Sequence, residues 1–187
     1  DDYFISVLYP QYKTISRGIS DWVIIADADE FIYHPQLLEV LEKAKQEGFL
    51  WILCGGYSMV SDHFPTTDGQ IYDEIKTGYS DEKYSKWTIF SPQSGIRFKL
   101  GRHWMPHGKR DIKKTRDTEI KLLHYSYMGR KYLEAKLTKN IDRFHLVPNV
   151  DWRKIATIDT IVKCPNGEMS PILEWVDKYG GKAPIVI

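Results

Sequence analysis

Cysteine is scarce in this chain: Cys54 and Cys164 are the two in 187 residues, far apart and in no C-x-x-C pair. A disulfide framework is therefore not expected, and a reduced, cytosolic setting is. Long apolar runs are also lacking. The longest stretch free of charge is Gly48 to Ser61, 14 residues, short of the roughly 20 that a membrane-spanning helix needs. No basic segment followed by an apolar one opens the sequence, so no signal peptide is expected. The formal net charge is only +1 and the pI is near 7.9, which argues against a nucleic-acid partner. There is no internal repeat, no low-complexity segment and no G-x-x-x-x-G-K-[ST] phosphate loop.

What remains describes a globular protein. Apolar residues make up 42% and aromatics 13%, enough to bury a core in one domain, with room for a small appendage. Charge is unevenly spread. Residues 1–100 carry 15 Asp/Glu against 9 Lys/Arg, and residues 101–187 carry 10 against 17. An acidic half facing a basic half suits a site that holds a metal on one side and phosphates on the other, although chance sampling would also produce it.

Strand and helix patterns alternate. Tyr3–Tyr9 reads as a strand ending before Pro10. Trp22–Ala26 (WVIIA) reads as a strand buried on both faces. His34–Gly48 reads as a helix with Pro35 in its first turn, Leu37, Leu41 and Ala44 on one face, and Gly48 at its C-cap. Phe49–Ser61 begins as a buried strand and meets Gly55-Gly56. Residues 62–85 read as a long polar loop. Lys86–Ser91, Ile96–Leu100 and Glu119–Tyr127 read as strands, Gly129–His145 and Ser170–Tyr179 as helices. The alternation implies an α/β layered fold.

The segment Asp27-Ala28-Asp29-Glu30 places three carboxylates in four positions directly after WVIIA. At a buried strand end such charges repel with little water to screen them, so their pKa values rise or a cation neutralises them. Oxygen ligands favour Mg²⁺, Mn²⁺ or Ca²⁺. The competing reading is a strand that ends in solvated acids. His124 ends an apolar run, Leu122-Leu123, and is followed by Gly129, Arg130 and Lys131 at a helix start. That order offers an imidazole for a metal and cations for an anion. A structural histidine with two surface cations is the alternative.

The order of these pieces resembles a known family. DWVIIADADEF followed by HPQLLEVL is similar to the D-x-D segment of GT-A glycosyltransferases, nearest the bacterial family-2-like proteins with a D-x-D-E-F signature. GYSMVSDHFP (56–65), YSKWTIFSP (84–92), GRHW (101–104) and LLHYSYMGRKYLEAKL (122–137) follow in the same order. The resemblance implies a GT-A-like three-layer α/β sandwich. Residues 1–150 would form the C-terminal portion of its catalytic core, and 151–187 a helical appendage. Only 26 residues precede Asp27, so much of the nucleobase-cradling N-terminal half is expected to be missing.

By that resemblance Asp29 is a direct metal ligand, Asp27 reaches the metal or the ribose, and His124 completes the shell. The implied cofactor is Mn²⁺ or Mg²⁺. The implied reaction is glycosyl transfer from a nucleoside-diphospho-sugar, a UDP-sugar being favoured, to a hydroxyl of a saccharide or lipid-linked acceptor, as in cell-envelope polysaccharide synthesis. Lys86, Arg130 and Lys131 would contact the diphosphate. An inverting route needs a general base, for which Asp62 and His103 are candidates and Asp111 a more remote one; a retaining route needs none. Trp51, Trp87, Trp104 and Tyr57 are candidates for stacking on sugar rings, with core packing as their commoner role. Cys54 reads as a small buried apolar residue. The run Lys109–Arg116 reads as a solvated loop, or as a contact to an anionic acceptor or lipid head groups at the inner membrane face. Two other classes fit parts of the pattern: a non-catalytic glycan- or partner-binding remnant of such a core, and a metal-dependent phosphoryl-transfer enzyme.

Overall fold

The computed structural model describes residues 9–66, 68–95, 113–115, 119–144, 161–163, 169–179 and 183–187. The expected strand Ile96–Leu100, the candidates His103, Trp104 and Asp111, and Cys164 lie outside them. The chain divides into two compact units, residues 1–57 with 80–124 and residues 58–79 with 125–187. Each is of mixed α/β type.

In the first unit α1 (Tyr9–Ser16) precedes β1 (Val23–Ile24), β2 (Glu30–Tyr33) and α2 (Leu37–Gln46). β3 (Trp51–Ser61), β5 (Lys86–Phe90), β6 (Lys114–Thr115) and β7 (Lys121–Met128) follow; β4 (Gly78–Ser80) begins in the second unit. The strand order is β1-β5-β3-β7-β2, with β6 also on β3. The β1–β5, β5–β3 and β2–β7 pairs are antiparallel, and β3–β6 is parallel. One face of the sheet is covered by α2. Leu41 and Ala44 of α2 pack with Ile52, Cys54, Ile89, Ile120 and Leu122, as the helical spacing predicts. The other cluster joins Tyr12 of α1 to Trp51, Trp87 and Phe90. Tyr12 meets Phe90 edge-on at 4.8 Å, and burial pushes its phenol pKa up to about 12.

Two expectations are corrected. Tyr9 opens a helix and does not end a strand. WVIIA is no doubly buried strand: β1 is two residues long, pairs among the described residues only with β5, and leaves Ile24 44% exposed. Its apolar side chains have different partners. Trp22 packs on the α2 side and donates its indole N–H to Leu41 O at 3.1 Å, while Val23 and Ile25 pack with the α1 cluster. A run that looks uniformly buried in sequence is thus an edge covered from two directions.

β1 and β2 are first and last in this order, yet only residues 25–29 join them. Across a flat sheet the gap would be roughly 19 Å, four strand spacings of about 4.8 Å. Part of the link is folded back into a turn, Glu30 N–H to Asp27 O at 3.0 Å. The sheet is therefore curled, and the link crosses the end of its central strands. That crossing sets Asp27, Asp29 and Glu30 beside the start of β5 and the middle of β7.

In the second unit the last residues of β3 meet the segment before β4, with Val60 N–H to Thr77 O at 3.0 Å and Thr77 Oγ1 to Val60 O at 2.9 Å. Residues 62–85 are not a bare loop. They hold the short helix α3 (Ile71–Glu74), β4 and a 3-10 turn, Glu82–Tyr84. Val60 packs with Leu133 and Leu137 of α4 (Arg130–Phe144) and Ile172, Leu173 and Val176 of α5 (Ile172–Tyr179). β8 (Ile161–Lys163) and β9 (Met169–Pro171) pair antiparallel. Ser170 and Pro171 thus end a strand, and α5 begins at Ile172, two residues after the expected helix start.

Candidate functional site

Within the first unit the carboxylate segment and His124 come together. β2 and β7 run antiparallel with Glu30 directly opposite His124 and Ile32 opposite Leu122. Side chains alternate along a strand, so Glu30 and His124 share the face that carries the core residues Ile32 and Leu122. Asp29 Oδ2 lies 3.5 Å from His124 Nε2. Residues 95 positions apart in the chain are thus adjacent.

Part of the crowding of the acids is relieved from within the chain. The cation is a side chain. Lys86, the first residue of β5, is 3% exposed, and its ammonium donates to Glu30 Oε1 and, at 3.1 Å, to Asp27 Oδ2. Glu30 is buried, and its second oxygen accepts from the Asp27 N–H at 3.0 Å. Asp27 is tied to a buried ammonium and is exposed on its outer side. One ammonium therefore offsets two of the three carboxylates, and Asp29 is the one set against the imidazole.

Glu30 is the residue that sequence reasoning left without a role. Its signal was present: in Glu30-Phe-Ile-Tyr the acid alternates in phase with Ile32, a core residue. Tyr84 was likewise missed as a site residue, although it lies in a segment already matched. Its ring packs on His124 with centroids 4.4 Å apart and planes at 47°.

Asp29 and His124 fit a divalent ion by donor type and spacing. Two ligand bonds of about 2.1 Å can together span up to about 4.2 Å, and the 3.5 Å separation falls within that. A mixed oxygen and imidazole set suits Mn²⁺ better than Ca²⁺. Among the described residues no three His, Cys, Asp or Glu side chains form a cage. Sites that bind Mg²⁺-like ions together with a phosphate substrate need only one or two protein ligands.

The remaining candidates are placed as follows. Arg130 opens α4 in the second unit, with its guanidinium on Asp177 at 2.7 Å and on Glu134 at 3.1 Å. Lys131 is exposed in the first turn of α4. Asp62 also belongs to the second unit. Trp51 and Trp87 are buried in the α1 cluster, so packing is their role. Tyr57 is half-buried and lies under Lys121 Nζ, 5.6 Å from the ring centroid. Of the basic run, Lys113 donates to Glu47 O and lies over Phe49, and Lys114 belongs to β6 and lies over Trp51. This part of the run is docked on the first unit and is no solvated loop. Cys54 is buried against Thr88, and burial pushes its thiol pKa up to about 12.

Asp62 is engaged with His63, whose Nδ1 lies 2.6 Å from Asp62 Oδ1 and 3.2 Å from Ser61 Oγ. Nε2 lies 3.0 Å from Glu74 Oε1, and Glu74 also accepts from the Thr66 N–H. The hydrogen bond to Asp62, then that to Glu74, raise the His63 pKa above its ordinary value. A raised folded-state pKa stabilises the fold fully below the unfolded value, about 6.5, and that contribution is lost as pH rises through the folded value. His63 is expected to titrate above 6.5 by two-dimensional NMR. Asp62→Asn should move its midpoint down further than Glu74→Gln; the reverse order would show that Asp62 is not the main partner.

The sequence matches no protein-family model and no curated protein. What stands for the first unit is a mixed α/β fold that gathers an acid–imidazole pair beside a buried lysine–carboxylate cluster. No helix among the described residues is long and apolar enough to cross a membrane.

Proposed function

We propose that this chain is a metal-dependent glycosyltransferase core of GT-A type, acting on a nucleoside-diphospho-sugar and a saccharide or lipid-linked acceptor hydroxyl. The observation that carries the reading is the Asp29–His124 pair. The resemblance to the D-x-D-E-F proteins named both residues as ligands of one ion, and the curled sheet sets them 3.5 Å apart. The reading rests on the first unit alone.

A bound Mn²⁺ or Mg²⁺ would supply Lewis-acid stabilisation of the departing diphosphate. Asp29 and His124 would hold it. Lys86 holds Asp27 in place at 3.1 Å, with the outer side of that carboxylate turned to solvent, where a ligand hydroxyl can donate to it. In this reading Lys86, which the resemblance made a diphosphate contact, acts through the acids that hold its ammonium, Glu30 and Asp27. Glu30 anchors that ammonium from the core side.

Calorimetric titration tests the proposal, with MnCl₂ present or absent and with UDP, GDP and UDP-glucose as ligands. The expected result is nucleotide binding that requires Mn²⁺. Asp29→Ala and His124→Ala should each weaken it by more than the roughly 10–100-fold that outer-shell changes cost, with the melting temperature in metal-free buffer nearly unchanged. Wild-type affinity in either variant would remove that residue from the site. Saccharide binding without metal would favour a non-catalytic module. Hydrolysis of phosphate esters without sugar transfer would favour a phosphoryl-transfer enzyme.

A further inference from the structure

We propose that Tyr84 is the positioning residue for His124, holding the imidazole edge toward Asp29 through a turn clamped to β3. The inference rests on the metal reading above and extends it to a residue with no assigned role.

Strand pairing fixes the His124 backbone opposite Glu30. It does not fix the ring, which keeps two side-chain torsions. An imidazole that must present Nε2 to an ion needs a second contact to hold its plane. The Tyr84 ring supplies one, at 4.4 Å between centroids. Such a brace is useful only if Tyr84 is itself held, and its backbone lies in a hydrogen-bonded turn. Tyr84 N–H donates to Asp81 O at 3.0 Å, and the Asp81 carboxylate accepts from Lys83 N–H at 3.1 Å. Asp81 N–H donates to Gly56 O at 2.9 Å, and Gly56 N–H donates to Ser85 Oγ at 3.0 Å. At Gly56 the strand and the turn are so close that an added Cβ would sit 2.4 Å from the Tyr84 carbonyl carbon.

Two residues after Tyr84, Lys86 is pinned to Glu30 and Asp27. One short segment, 81–86, therefore braces the imidazole with a ring and neutralises the neighbouring acids with an ammonium. Its attachment to β3 makes the two act in register.

The test uses the full chain, Mn²⁺ alone as probe, and two variants, Tyr84→Phe and Tyr84→Leu. Free Mn²⁺ is followed by electron paramagnetic resonance, and the His124 ring protons by NMR in metal-free protein. Wild type and Tyr84→Phe should bind alike and show the His124 protons displaced by the ring current of the adjacent aromatic. Tyr84→Leu should lose that displacement and bind about 10–100-fold more weakly, the range for changes that disorient a ligand from outside its shell. Binding by Tyr84→Leu within twofold of wild type would overturn the proposal. So would Tyr84→Phe as weak as Tyr84→Leu, which would assign the effect to the hydroxyl. His124 protons without a ring-current displacement in wild type would overturn it even if Tyr84→Leu failed to fold. Wild type that takes up no Mn²⁺ would instead remove the metal reading, and the positioning role with it, whatever the ring-current shift.

Discussion

Lys86→Met is expected to lower the stability of the protein by about 3–5 kcal/mol at neutral pH, the cost of leaving one member of a buried ion pair without its partner. The size follows from where the charges lie. The Lys86 side chain is 4% exposed and that of Glu30 fully buried, whereas Asp27 is 53% exposed. Asp27 can turn to water when the ammonium is gone; Glu30 cannot. Methionine keeps most of the aliphatic volume, so little of the loss is a cavity effect. One control separates charge from packing. Adding Glu30→Gln should restore much of the lost stability, since the amide oxygen can still accept from the Asp27 N–H that now meets the carboxylate at 3.0 Å. Urea denaturation of the four proteins in this cycle gives the coupling energy directly. A loss under about 1 kcal/mol, the range of surface pairs, would mean that the cluster is open to solvent.

The same cluster shows what could be seen in the sequence. Carboxylates crowded after an apolar run demand a counter-charge, and that much is local. The source of the charge is not, because Lys86 lies 56 positions beyond Glu30, and nothing near Asp27 announces it. Its place in the matched segment YSKWTIFSP marked Lys86 for a role, though as a donor contact rather than a partner of the acids. The core strands were legible because β3, β5 and β7 are rich in apolar and aromatic residues, and α2 because Leu37, Leu41 and Ala44 recur at helical spacing. β1 misled because an apolar run reads the same whether two strands or one strand and two helices cover it. The small elements between 62 and 85 were invisible for another reason. β4 and the 3-10 turn are three residues each. The turn closes locally, Tyr84 N–H to Asp81 O, but what places both elements are bonds to distant partners, Gly78 to Pro184 and Asp81 to Gly56, which no local pattern encodes. The pairing of Asp29 with His124 was reached through the resemblance; spacing alone does not bring two residues together across a curled sheet.

The glycine pair in β3 provides the sharpest contrast available by mutation, because two adjacent positions should respond in opposite ways. At Gly55 an added Cβ would find its nearest neighbour, Ile120 O, at 3.9 Å. That is ordinary contact, and alanine also restricts the unfolded chain, so Gly55→Ala should be neutral or stabilising by about 0.4–1 kcal/mol. At Gly56 the Cβ would lie 2.4 Å from Tyr84 C, 2.5 Å from Asp81 O and 2.5 Å from Ser85 N. These are backbone atoms of a hydrogen-bonded turn, and no side-chain rotation relieves them. Either β3 or the turn must move, and the Asp81–Gly56 and Gly56–Ser85 hydrogen bonds stretch with it. Overpacking costs about 1–3 kcal/mol and each weakened hydrogen bond about 0.5–1.5 kcal/mol, so Gly56→Ala should lose about 2–6 kcal/mol. The moved segment also carries Tyr84 and Lys86, so Gly56→Ala should weaken Mn²⁺ uptake at temperatures where it is still folded, and Gly55→Ala should not. Paired urea melts with Mn²⁺ titrations read both effects. Equal behaviour of the two alanines would mean that the 81–85 turn does not rest on β3, and the brace on His124 would lose its foundation.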